Sequence, residues 1–280
     1  MPVLLALCSA LTYGVGDYLG GRASRVQPSV VVAFVGQVLS LVLVSVALLF
    51  IGTPTPDAAS WWWSAFGGVM GALGIAGLYH GFAHGEMTVV APVSAVVGAV
   101  VPAAAGIIDG ERPSALAMVG IVVAVGAVAL VSGALGTHQH STPRRIVALA
   151  VFVGFCFGLL FVAFDQASND AGLWPLAIAR FASVPMLLVL ALAIRGRPVR
   201  HRGSLGLSAV TGVIDSSSNG LYLMATHGGL LSVVAVVASL YPASTVALAA
   251  SIDKERIGRS QAIGMGLAVA AVVLVTVSRS

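Results

Sequence analysis

Asp215 is the side chain of this sequence best placed to do chemistry. It stands at mid-depth in an apolar run near 204–226 and is followed by Ser216, Ser217, Ser218 and Asn219. Three- and four-residue spacing puts Asp215, Ser218, Asn219 and Tyr222 on one helical face. An unpaired charge inside a bilayer costs at least about 2.5–3.5 kcal/mol, so that face turns to a cavity or to another helix. In a cavity it is a polar wall for a zwitterionic or cationic solute, with Asp215 pairing an ammonium group or carrying a proton. Against a helix it is interhelical glue, with Asp215 neutral or paired to Arg180. Arg180 is itself a candidate for a substrate carboxylate, which a guanidinium matches bidentately. Gln37, at nearly the corresponding place in the first half, offers a neutral donor to the same cavity. Tyr79 and Tyr222 occupy equivalent positions and either pair with each other or line the cavity.

Asp17 is the second carboxylate in an apolar run. It is a candidate proton carrier; the alternative is a solvated interfacial acid beside Arg22, since it lies near the end of its run. His80 and His84, four apart and close to Glu86, superficially match part of a zinc site. A metal site needs three or four ligands and no others are evident, so no metal and no cofactor is expected. His84 recurs as His227, a helix-end histidine at an interface or a pH sensor. The sequence has no nucleophile elbow, phosphate-cradling loop or hydrolase carboxylate pair, and so no expected catalytic residue. The missing phosphate loop also argues against direct ATP coupling.

The elements that must hold these residues are apolar helices. Hydrophobic residues are 58% of the 280 and charged residues only 9%, against roughly 25% charged in a soluble domain. Mean hydropathy is +1.02. So few charges cannot clothe a soluble surface around so many Val, Ala and Leu side chains. In lipid every backbone group must be bonded within the protein, which leaves helices or a closed barrel, and runs of about 20 non-alternating apolar residues select helices. Ten spans are expected: near 3–21, 29–51, 62–83, 88–108 and 115–135, then near 146–165, 173–194, 204–226, 231–250 and 261–278. The segment 3–21 lacks a basic start and reads as a permanent helix, not a leader. Trp61, Trp62, Trp63 and Trp174 read as interfacial anchors. Gly71 and Gly74 read as a close-packing surface. Pro92, Pro102 and Pro242 permit kinks. Cys8 and Cys156 read as small packing residues. The net charge of +4 sits at helix ends, which suits anionic lipid headgroups and not nucleic acid.

The sequence also repeats itself. Gly77-Leu78-Tyr79 with His84-Gly85 returns as Gly220-Leu221-Tyr222 with His227-Gly228, and Asp109-Gly110-Glu111-Arg112 returns as Asp253-Lys254-Glu255-Arg256. Residues 1–135 and 144–280 are therefore expected to be two five-helix units joined by a linker at 136–143. An odd number of crossings orients the two units oppositely, the usual architecture of an alternating-access transporter.

These features resemble the ten-helix EamA-type members of the drug/metabolite transporter superfamily. The acidic-plus-Arg turns (Asp109, Glu111, Arg112; Asp253, Glu255, Arg256), the pairs Tyr13-Gly14 and Phe157-Gly158, and Arg180-Phe181 carry the resemblance; Gly36-Gln37 stands where a second Arg-Phe would be. The resemblance implies export or exchange of small metabolites, amino acids among them, from a central cavity, and cytoplasmic termini. The basic connectors (Arg22, Arg25; Arg144, Arg145; Arg195, Arg197, Arg200, Arg202; Lys254, Arg256, Arg259) point the other way, placing both termini outside by the positive-inside rule. The expectation is an all-α secondary transporter of the cell's inner (plasma) membrane, working on a small polar or amphipathic solute with protons as a candidate coupling ion. A monomer is compatible with it. A passive channel or an integral-membrane enzyme are the rivals.

Overall fold

The computed structural model describes residues 1–51, 54–84, 87–131, 143–167, 171–193, 202–253 and 258–277. Among them the chain forms eleven α-helices and no strand: α1 Pro2–Ser24, α2 Ser29–Ile51, α3 Ala58–His84, α4 Met87–Ile108, α5 Ala115–Val131, α6 Arg144–Asp165, α7 Trp174–Ala193, α8 Arg202–Thr226, α9 Leu231–Ala238, α10 Tyr241–Ile252 and α11 Arg259–Val277. Local chemistry starts several of them. Pro2 sits in the first turn of α1, where no amide donor is lost. The Asp57 carboxylate accepts from the Ser60 amide (3.2 Å) ahead of α3, and Ser114 Oγ accepts from the Ala117 amide (3.1 Å) ahead of α5.

Helices stand at all ten expected places, but the ninth is in two pieces. Pro242 cannot donate to the Ala238 carbonyl, and Ser239 caps the turn before it, its amide (2.9 Å) and hydroxyl (2.8 Å) both bonding Ala235 O. Pro92 and Pro102 lie inside α4, which runs unbroken. All three prolines permit a kink, and of α4 and its counterpart only the latter is interrupted.

Six segments of the described residues are long and apolar enough to cross a membrane: α1, most of α2, α3, α6, α7, and α9 with α10 taken together. Val93–Ile108 and Ala115–Ala127 are shorter apolar stretches. The polar residues from Thr211 to Asn219 lower the hydropathy of α8, which packs against α1 and α2.

Neighbours are exchanged between the halves in a reciprocal way. α1 packs on α8 and α3 on α6; α1 packs on α9 and α10, and α4 on α6; α2 meets α7, α4 meets α9 and α5 meets α11. Swapping the first five spans for the last five maps this set onto itself. Close backbone approach seals several contacts. A Cβ on Gly68 of α3 would collide with the Ala179 backbone of α7, and one on Gly212 of α8 with the Gly36 backbone of α2. Gly71 and Gly74 face Leu160 and Phe157 of α6, so the glycine run packs as expected. Trp61 and Trp174 approach at 6.2 Å between ring centroids, bringing the starts of α3 and α7 to one end of the bundle. The linker 136–142, Glu86, Lys254, Glu255, Arg256 and the arginines at 195, 197 and 200 lie outside the described residues.

Candidate functional site

A narrow cavity lies between α1, α2 and α3 of the first half and α6, α7, α8 and α10 of the second. One wall is a polar network. Arg180 of α7 donates through one terminal nitrogen to Asp215 Oδ2 of α8 (2.7 Å) and through Nε to Ser40 Oγ of α2 (2.6 Å). Ser216 also donates to Ser40 (2.5 Å). Gln37 Nε2 reaches Asp215 Oδ2 at 3.4 Å, while Ser183 Oγ holds Gln37 Oε1 (2.9 Å). One turn on from Asp215, Asn219 Nδ2 donates to its Oδ1 (3.1 Å) and to its backbone oxygen (2.8 Å). The Arg180 side chain is 3% exposed and that of Asp215 20%, so this is a buried ion pair with an edge open to the cavity. Hydrogen bonds to Ser40, and from Gln37 and Asn219, help repay its desolvation.

The opposite wall is aromatic. Tyr13 of α1 stands 6.2 Å from Phe161 and 6.4 Å from Tyr241, ring centroid to centroid, and Phe157 and Leu160 of α6 complete the surface. Tyr241 is the first residue of α10, at the helix interruption, and its hydroxyl bonds Ser94 Oγ (3.0 Å) and donates to Ala91 O (3.3 Å) of α4. Asp17 enters from α1. It is 7% exposed and lines the cavity, and no hydrogen-bond partner reaches its carboxylate among the described residues. Arg22 is engaged elsewhere, with the Tyr18 hydroxyl (3.2 Å) and Asp253 (3.6 Å). The solvated interfacial reading of Asp17 is thus not the arrangement found.

A second, smaller space adjoins the first; Gln37, Ile75 and Asp215 line both, and Tyr79 and Thr211 line the smaller. The residues expected at the site are therefore sorted. Asp17, Gln37, Arg180, Asp215 and Asn219 meet at the larger cavity, and Tyr79 at the smaller. Ser218 and Tyr222 do not line either. Ser218 Oγ bonds Ile214 O within α8, and its backbone oxygen accepts from Ser9 of α1 (2.8 Å). Tyr222 stacks behind Phe161 at 4.3 Å. The face from 215 to 222 is a cavity wall at one edge and interhelical packing at the other. His80 and His84 stack at 4.2 Å, and no group of three metal-ligating side chains occurs among the described residues.

Tyr13, Tyr241, Phe157, Phe161 and Ser40 were not anticipated as site residues. Tyr13 and Phe157 were visible as the repeated aromatic-Gly pair, whose glycines let neighbouring helices close in: a Cβ on Gly14 would strike the Ser244 side chain and one on Gly158 that of Val101. Nothing local marks Ser40; its role exists only once α7 and α8 are beside it.

Apolar helices bundled around a buried, ionisable-lined cavity define a multi-pass membrane protein. The model of the EamA-like transporter family matches the chain twice, over residues 1–133 and 144–277, and the chain belongs to that family. Its membership makes it a membrane transporter by class. One solved structure, described only as "Crystal structure of protein", is similar at a TM-score of 0.75 over 99% of this chain and 96% of its own. At 14% identity that likeness is one of fold. No curated protein sequence matches the chain.

Proposed function

We propose that the chain is a secondary transporter, an exporter or exchanger of a small polar or amphipathic metabolite, working by alternating access in the cell's plasma (inner) membrane. Residues 1–135 and 144–280 act as two oppositely oriented five-span units, and the solute sits between them. The observation that carries this reading is the cavity itself: helices of both halves build it, and a buried Arg180–Asp215 pair and Asp17 both line it. Opposite orientation is supported at the end of α4. There the Glu111 carboxylate accepts from the amides of Leu231 (2.5 Å) and Ser232 (3.0 Å), which begin α9. Corresponding helices thus meet tail to head. It is supported again by mates in the repeat: Arg22 approaches Asp253 at one pair of helix ends, and Gln166, 144 residues after Arg22, donates to Asp109 (3.3 Å) at the other.

Asp215 and Asp17 are the groups able to exchange a proton with the cavity or to hold a cationic solute. The test is solute counterflow in proteoliposomes. Asp215→Asn removes a charge-assisted contact of about 1.5–3 kcal/mol and should lower transport about 10- to 100-fold while the protein inserts and elutes normally. Unchanged flux would remove Asp215 from the mechanism.

A further inference from the structure

We infer that the solute is an organic ammonium ion carrying an apolar or aromatic group, and that Asp17 is its counter-ion. This rests on the transporter reading above and adds the chemistry of the cargo to it.

The charges facing the cavity do not cancel. Two carboxylates and one guanidinium reach it, and the guanidinium is already paired with one of the two carboxylates. Arg180 directs one terminal nitrogen to Asp215 at 2.7 Å and Nε to Ser40 at 2.6 Å. Beyond that pair the cavity presents one carboxylate, one amide oxygen and the unpaired Tyr13 hydroxyl, which can accept as well as donate. Asp17, 7% exposed, has no hydrogen-bond partner among the described residues, and Asn219, 2% exposed, uses its amide nitrogen on Asp215 and leaves Oδ1 unpaired. A carboxylate accepts only, as does an amide oxygen, so the complementary group is a compact donor with positive charge. An ammonium group fits; a second carboxylate would meet Asp17 with no free cation to receive it. The carboxylate of an α-amino acid would compete with Asp215 for the charge of Arg180, and weakening a buried pair is costly.

The rest of the wall suits the remainder of such a molecule. Phe157, Phe161 and the Tyr13 and Tyr241 rings give stacking faces, and aromatic faces also attract cations.

The test uses three probes with one phenyl group and different heads: 2-phenylethylammonium, phenylalanine and 3-phenylpropionate. Binding to the full chain in lipid nanodiscs is measured by calorimetry, then counterflow of each in proteoliposomes. The ammonium compound should bind about tenfold or more tightly than phenylalanine, and the propionate weakest. Asp17→Asn should weaken the ammonium compound about tenfold or more and leave the order among the other two unchanged; Asp17→Glu, which restores the charge, should recover most of the loss. The inference is overturned if phenylalanine or the propionate binds as well as the amine, if none binds, or if Asp17→Asn leaves amine affinity unmoved. Counterflow of phenylalanine alone would sink this inference and leave the transporter reading standing. Tight, Asp17-dependent amine binding without counterflow would support the counter-ion and overturn transport.

Discussion

The two halves carry the same helices and put different chemistry at equal places. Where α1 has Asp17, its mate 144 residues on is Phe161, stacked on Tyr222. Where α7 has Arg180, α2 has Gly36 with Gln37 next to it. The second half contributes a buried ion pair, and the first contributes neutral polar groups and one unpartnered acid. The helix ends differ in the same manner. At one, Arg22 and Arg25 face Asp253 at 3.6 and 3.9 Å through half-exposed side chains. At the other, Gln166 bonds Asp109 and Glu111 reaches the first amides of α9. That reach depends on Gly110, whose φ of 96° turns the chain after α4; Lys254 holds the corresponding place. Duplication supplies a scaffold in which one copy can fix the shape of a site while the other keeps free valence for a solute.

The sharpest way to break this contrast is to remove its most buried member. Arg180→Leu leaves Asp215 in the cavity wall without its cation, and breaking a buried pair costs about 3–5 kcal/mol. Gln37→Leu removes the bond from Ser183 and a long one to Asp215, and interhelical hydrogen bonds in membranes average about 0.6 kcal/mol. Thermal unfolding in detergent should show a large fall in Tm for the first and a small one for the second. Equal falls would mean the pair is not what distinguishes the halves.

A smaller difference separates the two ends. Glu111→Ala strips the start of α9 of a carboxylate cap and should cost about 0.5–2 kcal/mol. Asp253→Ala removes partly exposed pairs of the kind that contribute about 0–1 kcal/mol, and its effect should fade as salt is added. Tm measured for both variants at low and high ionic strength tests this. A salt-independent loss at Asp253 larger than that at Glu111 would reverse the comparison.

Helix positions were legible in the sequence because lipid demands long apolar runs, and Gly77-Leu78-Tyr79 against Gly220-Leu221-Tyr222 exposed the duplication. Asp215, Arg180 and Asp17 were legible because ionisable groups inside such runs are rare. Their sorting was not. Whether Asp17 is solvated or enclosed depends on α3 and α10 closing over α1, and whether Ser218 faces solute or Ser9 depends on how α8 is rotated. The break at Ser239–Leu240 was hidden because Pro92 and Pro102 send the same signal from α4 and leave it whole. Spacing along one helix specifies a face, and only the neighbours decide what that face meets.

The least of these effects concerns a carboxylate that does locally what Glu111 does across the halves. Asp57 caps α3 from three residues before Ser60, in full contact with water. Hydrogen bonds from the Ser60 hydroxyl and then its amide hold the Asp57 carboxyl below its ordinary value of 3.8. A depressed folded-state value means the cap stabilises fully above 3.8 and loses its contribution as pH falls through the lower, folded-state value. Asp57→Asn keeps an acceptor and removes the titration, so its Tm should track the parent's at neutral pH and fall less steeply in acid. An identical slope for both proteins would show that the cap contributes no pH dependence, and would leave Glu111, 120 residues from its amides, as the acidic cap that matters.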